Sequence, residues 1–405
     1  MPGALKPLCG IVPSCTFGAF PMPAPVTVRK VETPAEFRAF FEFPWTLYKD
    51  DPNWVPPLLS MRRDLLDKKR NPSWEYMEGD YFAAWRGDQI VGTITALINH
   101  RHNEFHQEHI GWFGTFEVYN DQEAASALLN TAADWVRARG YDAIRGPQSF
   151  TTHEECGILI DGFVRPVLLM PYNPPYYQRL VEAAGFNKAM DVFSFHLSRQ
   201  GAQEHATADR LQRITQAVMK RNKITVRQID RKRLHQEFEL FKEIYNAAWE
   251  KNWGFVPMNP RELDALVKSL GQFFNPDFAF FADVEGQPAG FVMAIPDFNQ
   301  VLKRAHPRPG VPEIITLLRA LWYWKIRPVI DWARIPLMGV KEDYRKKGVD
   351  AVLYYHVLMA LLADPHVQHS DSGWILEVNE NMVSIALSFG SEIYKTHRFY
   401  ERRLK

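Results

Sequence analysis

Between Gly339 and Leu362 the chain reads GVKEDYRKKGVDAVLYYHVLMALL: an apolar strand-like lead, three consecutive cations and a glycine, then a helix-like apolar pattern. A strand that hands over to a helix leaves unbonded backbone N–H groups at the helix N-terminus, and with the helix dipole they attract phosphate. Gly348 lets the backbone approach a ligand with no Cβ in the way. Arg345, Lys346 and Lys347 add cationic reach. The stretch Arg345-Lys346-Lys347-Gly348-Val349-Asp350-Ala351 can therefore cradle a pyrophosphate. A solvated basic loop with a helix-starting glycine is the alternative that these residues leave open.

Other clusters carry weaker chemistry. His102 and His106 stand four apart, a chelating spacing on a helix, but no cysteine is near and the segment NHRHNEFHQEH reads as a loop between strands. His153, Glu154 and Glu155 offer a general base, or a turn or helix cap. Trp253 and Phe255, within Asn252–Pro257, either line an apolar slot or simply pack. Trp322, Tyr323 and Trp324 lie beside Arg319, Lys325 and Arg327. Cations next to such aromatics suit a membrane surface or a lipid tail, and equally a helix packed on the first half.

The totals narrow the class. The chain has 405 residues, which points to two domains of ordinary size. Its net charge of +1 gives no global field to recruit nucleic acid, so none is expected as a partner. No run of about 18 uncharged apolar residues occurs, so no spanning helix is expected. Cys9, Cys15 and Cys156 have no metal-ligand spacing; no metal is expected, and a reduced, cytoplasmic setting fits. Residues 1–25 are rich in proline and small residues and read as a disordered tail, with Met22 as a candidate natural start.

The elements that must position these residues come in a repeated order. Val26–Val31 reads as a strand, and Thr33 and Pro34 mark a helix start. A hairpin turns at Arg86-Gly87-Asp88; a strand, an amphipathic helix ending at Gly140, a short strand, a helix stopped at Gly185 and a closing strand follow. From Ile224 the series repeats, with its hairpin turning near Glu285-Gly286-Gln287. A half-chain repeat of this kind indicates duplication. The joint falls near the polar, small-residue stretch 198–210. The expected fold is a mixed-sheet α/β architecture in two tandem domains, 26–200 and 211–405.

Placed fourth in the strand order and before the third helix, the cationic junction resembles the acyl-coenzyme A loop of the GNAT acyltransferase superfamily, roughly Q/R-x-x-G-x-G/A. Arg345, Gly348 and a shifted Ala351 match; Asp350 stands where a glycine is usual and can cap the helix instead. Asn381, Ala386 and Gly390 resemble that family's later helix, while Ser388 stands where a tyrosine acid is common. Asn173, Tyr177, Gly185 and Phe186 give the first half the same likeness without the loop. The whole span 26–405 is similar to paired-GNAT bacterial proteins, and in general type to N-acyltransferases of bacterial sphingolipid assembly.

This resemblance implies transfer of an acyl group from acyl-CoA or acetyl-CoA to a small-molecule or lipid amine, with possible peripheral contact at the inner membrane. The second half would bind the donor and the first would be degenerate. The Val340 N–H and its strand neighbours would polarise the thioester, Arg345 to Ala351 with Asn381 would hold the coenzyme, Glu377 would be the base and Tyr394 a candidate acid. Trp253, Phe255, Trp322 and Trp324 would meet the substrates. A non-catalytic scaffold and an aminoacyl-transfer enzyme are the alternatives.

Overall fold

The computed structural model describes residues 24–206, 209–250 and 252–404; the tail expected over 1–25 lies, up to residue 23, outside the described residues. The first half supplies β1 (Val26–Lys30), β2 (Met77–Arg86), β3 (Gln89–Asn99), β4 (Ile110–Val118), β5 (Ala143–Gly146), β6 (Ile158–Asp161) and β7 (Asn187–Ser198). The second supplies β8 (Ile224–Gln228), β9 (Ala279–Val284), β10 (Gln287–Pro296), β11 (Trp332–Val340), β12 (His369–Leu376) and β13 (Glu392–Arg403). Local chemistry sets their limits. Thr33 accepts from the Glu36 N–H while the Glu36 carboxylate accepts from the Thr33 N–H, which starts the helix Pro34–Leu47. Asn259 and Glu262 start Pro260–Gly271 in the same way. The two hairpins turn at Gly87 and at Glu285-Gly286, all with positive φ.

The strands form one mixed sheet in the order β1-β2-β3-β4-β5-β13-β7-β12-β11-β10-β9-β8, with β6 added to β13. That order contains an exchange. β13, the last strand of the second half, pairs with β5 of the first, Tyr400 opposite Gly146. β7, the last strand of the first half, pairs with β12 of the second, Phe195 opposite Ser372. β7 and β13 also pair with each other, from His196–Glu392 to Asn187–Glu401. Each half keeps its own core: Leu128, Ala132 and Val136 of the helix Gln122–Arg137 in the first, Val352, Leu353 and Val357 of the helix Val349–Ala363 in the second.

Two segments differ from the sequence reading. The histidine-rich stretch is a helix, His100–His106, because Asn99 caps it and the polar side chains find partners inside: His102 Nε2 lies 2.8 Å from a Glu108 carboxylate oxygen and His106 Nε2 lies 2.7 Å from the Phe255 carbonyl. The polar joint carries the helices Arg199–Ala206 and Asp209–Arg221. Ser198 Oγ accepts from the Gly201 N–H at 3.0 Å, and Leu211, Val218 and Met219 rest on the second core. One narrow apolar face is enough for such a helix and leaves little trace in composition.

Ending the chain after Ser391 removes β13 from β5, β6 and β7 together. Such a chain is expected to lose folded structure in both halves, and the full chain to melt in one calorimetric transition. Two separable transitions in the full chain would contradict this.

Candidate functional site

β11 and β12 run parallel only from Trp332–His369 to Ile335–Ser372. Beyond that point they part, for two reasons. β11 carries one extra residue against β10 at Ile335-Pro336, between the pairs Arg334–Ile295 and Leu337–Met293, and Pro336 has no N–H to offer a neighbour. β12 meanwhile follows β7, with its own irregularity between Ser372 and Ile375. The gap opens into two lobes, and Trp249, Asn252, Pro336, Gly373, Trp374 and Leu376 border both. The Lys341 N–H bonds the Ala289 carbonyl of the β10 strand at 2.8 Å. Strand alternation therefore turns the Met338 and Val340 N–H groups toward the edge that β12 has left.

The helix Val349–Ala363 starts from Gly348, whose φ is 77°. A Cβ there would lie 2.8 Å from a Val218 methyl, so both conformation and space call for glycine. The cations of the loop diverge. Arg345 donates to the Ala248 carbonyl at 2.7 Å, Lys347 lies 5.1 Å from the centre of the Tyr344 ring, and Lys346 is exposed. Val349 is buried. Asp350 accepts from the Ala351 N–H at 2.9 Å and from the Asn381 amide. Asn381 thus bonds the loop itself.

The larger lobe is closed by the first half. His153, Glu154 and Cys156 line it together with Tyr245, Trp253, Phe255 and Arg334. The loop is tied down: Thr152 Oγ1 donates to the Gly254 carbonyl and His153 Nε2 to the Val256 carbonyl, each at 3.0 Å. With its Nε2–H so engaged, His153 has Nδ1 free to accept the Tyr245 hydroxyl proton at 3.0 Å. Burial lowers the His153 imidazole to about 4 and raises the Glu154 carboxyl to about 8. Arg334 forms the floor. It donates to the Leu168 and Gly373 carbonyls, and its Nε lies 3.3 Å from Asp371 Oδ1.

The remaining sequence-derived residues lie elsewhere. Glu377 is in the turn after β12 rather than on the strand; its carboxylate binds Lys188 Nζ at 2.7 Å and the Asp191 N–H at 3.0 Å. Tyr394 donates to Asp371 Oδ2 at 2.8 Å, beneath the floor. Trp322 and Trp324 stand on the outer surface, exposed by 53% and 38%, away from both lobes. Sequence reasoning passed over Tyr245, Trp249, Arg334 and Trp374. The i, i+4 spacing of Tyr245 and Trp249 on one helix face was the available signal. In the first half, the gap between β4 and β5 is filled. Gln148 bonds the Phe113 carbonyl at 2.9 Å, and the Glu117 carboxyl takes the hydroxyls of Tyr48 (2.6 Å) and Tyr177 (2.8 Å).

The Glu154 shift has a pH consequence. A carboxyl whose folded pKa is raised favours folding while it stays protonated, and that contribution is lost as pH rises from the ordinary value of 4.5 toward about 8. Glu154→Gln should therefore melt higher than the parent at pH 8, with the difference shrinking toward pH 5. Parallel melting curves at both values would contradict the assignment.

The Acetyltransferase (GNAT) family profile matches residues 39–146. The chain is 31% identical over 382 residues to Protein YghO of Escherichia coli (strain K12), across 93% of this chain and 95% of that protein. It is 33% identical over 389 residues to the bacterial ceramide synthase of Caulobacter vibrioides (strain NA1000 / CB15N), across 94% of this chain and 98% of that protein. In fold it is similar to a tandem GNAT protein from the clavulanic acid biosynthesis pathway, with a TM-score of 0.52 and 12% identity, across 94% of this chain and 99% of that one. With such identity held along nearly the full length of two relatives, and with strands that part ahead of a glycine-led helix, the chain belongs to the GNAT acyltransferases as a tandem-domain member.

Proposed function

We propose that the second half transfers an acyl group from acyl-CoA to the amine of a lipid or other long-chain acceptor, and that the first half closes the acceptor side. The carrying observation is the open edge of β11 leading to the Gly348 helix start. The Met338 and Val340 N–H groups suit the amides and thioester carbonyl of the donor. The amides of Gly348, Val349 and Asp350, with Lys346 beside them, suit its pyrophosphate. The filled gap between β4 and β5 leaves no equivalent place in the first half. The ceramide synthase relative supports a lipid amine.

In the large lobe Glu154 is the group best matched to an ammonium. With its pKa raised to about 8 it is largely protonated at neutral pH in the empty cleft; an ammonium brought beside it favours the carboxylate, which then takes the ammonium proton. The freed amine attacks the thioester carbon; the C–N bond forms as the C–S bond breaks. The departing thiolate takes up the proton that the new amide nitrogen sheds, and Tyr245, whose hydroxyl bonds His153 Nδ1, lines the same lobe. Glu377 and Tyr394 enter as supports of the cleft, through Lys188 and through Asp371–Arg334. Glu154→Gln should retain coenzyme A binding by calorimetry and lower turnover on the order of 10²–10⁴-fold. Unchanged turnover would remove Glu154 from the chemistry, and lost coenzyme binding would move it to the donor site.

Peripheral membrane contact belongs to the same reading. The helix Glu313–Leu321 and the π-helical segment Trp322–Ile326 that continues it present Ile314, Leu318, Trp322 and Ile326, exposed by 61%, 61%, 53% and 65%. Arg319, Lys325 and Arg327 flank them, an arrangement suited to anionic lipid. Among the described residues no helix is long and apolar enough to cross a membrane. The protein should float with vesicles containing phosphatidylglycerol, more strongly than with phosphatidylcholine alone. Ile314→Glu with Leu318→Glu should abolish flotation yet leave acetyl transfer to a water-soluble amine unchanged. Equal flotation of parent and double variant would defeat this reading.

A further inference from the structure

A polar recess with about 290 Å³ of free space lies beside the larger lobe. One water needs roughly 10–15 Å³, so the recess has room for a whole polar head group. Its floor is a row across three strands. Arg145 of β5 and Asn187 of β7 stand on either side of Glu401 of β13, each its cross-strand partner. Lys188 and Arg403 extend the lining.

The recess continues the lobe along β13. Side chains two apart on a strand share a face, and Phe399 lines the lobe where Glu401 lines the recess. At 3.3 Å or so per residue the two stand about 7 Å apart. Trp253 lines both spaces, its ring 5.0 Å from the Phe399 ring and 5.1 Å from the Arg145 guanidinium carbon.

The charges here are balanced. Glu108 and Glu401 hold Arg145, and Glu401 also meets Arg403 Nε at 3.3 Å. Asp191 and Glu377 hold Lys188, and Asp191 also holds Arg398. Each group sets two cations against two carboxylates, so little net field remains to draw an anion. Hydrogen-bonding capacity is not balanced. Both oxygens of Glu401 are engaged. Lys188 still has a third N–H to give, Arg403 is exposed beyond its Nε contact, and Asn187 is exposed. Spare donors without net charge suit the oxygen atoms of hydroxyl, ether or carbonyl groups.

We infer that this recess is a subsite for an uncharged, oxygen-bearing head group of the acceptor, set several bonds from the amine that the lobe receives. The place of the amine rests on the acyl-transfer reading; binding of the head group does not.

Two amines test it: decan-2-amine, and the 2-hydroxyethyl ether of 2-aminodecan-1-ol, whose hydroxyl lies several bonds beyond the amine. A hydrogen bond to a charged donor contributes roughly tenfold or more in binding. With acetyl-CoA the ether should therefore be preferred by about tenfold in kcat/KM, most of it in KM. Asn187→Ala with Arg403→Ala should bring that ratio close to one. Arg403→Ala alone takes over should the pair lose its cooperative melt. Calorimetric titration with the ether and no acyl-CoA reads the subsite by itself, and the double variant should bind about tenfold more weakly. Ether binding that the variant weakens, without transfer from any acyl-CoA, would uphold the subsite and overturn the acyl-transfer reading. Equal affinity of the parent for the two amines, or a preference that the variant keeps, would overturn the subsite. Tighter binding of 2-aminodecyl phosphate than of the ether would reveal an anion site and overturn the uncharged assignment.

Discussion

The pairing of β7 with β13 is the contact on which the rest of the molecule depends. Each is the closing strand of its own half, and each lies beside the fifth strand of the other. Their ladder turns two half-sheets into one. Polar groups lock it from within: Arg398 makes a two-pronged bond to Asp191 at 2.7 and 2.9 Å, and Lys395 donates to the carbonyls of Val164 and Arg165 at 2.8 and 2.9 Å. Lys395 and His397 are wholly buried, and burial draws their pKa values down to about 7 and 3. A buried donor left without its acceptor costs about 1–3 kcal/mol, so a slipped register that parted Arg398 from Asp191, its cross-strand partner, is disfavoured.

The exchange also explains how the first half reaches the chemistry of the second. β5 and β6 both pair with β13, so the loop between them is anchored at its two ends by a strand of the other half. That loop then lays Thr152 and His153 on the carbonyls of Gly254 and Val256 and brings Glu154 into the cleft. A desolvated carboxyl held by its own loop is costly for folding yet useful beside an incoming ammonium. Residues from one half therefore complete a cleft whose donor edge comes from the other.

Duplication left two gaps of the same origin with opposite fates. Between β11 and β12 the bulge at Pro336 and the departure of β12 leave free N–H groups and open space. Between β4 and β5 the space is occupied, and Glu117, pushed up to about 7 by burial, shares hydroxyl protons with Tyr48 and Tyr177. A buried carboxyl with two donors is a stable filling.

The sequence by itself determined whatever depends on near neighbours in the chain. Thr33 and Pro34 at a helix start, the hairpin turns at Gly87 and Glu285-Gly286, and Gly348 at the head of its helix are local, and each was legible. The repeated element order and the likeness to the acyltransferase family followed from them. The strand exchange was not legible, because β5 and β13 lie far apart in sequence and either closing strand carries a pattern that suits either slot. Glu377 shows the same limit: one step past the strand end, its direction is set by Lys188, 189 residues away. Glu154, Tyr245 and Arg334 meet in one cleft through packing alone, and no spacing along the chain marks them as a group. Tertiary structure decided which carboxylates are desolvated, since burial depends on what folds over a residue rather than on its neighbours in sequence.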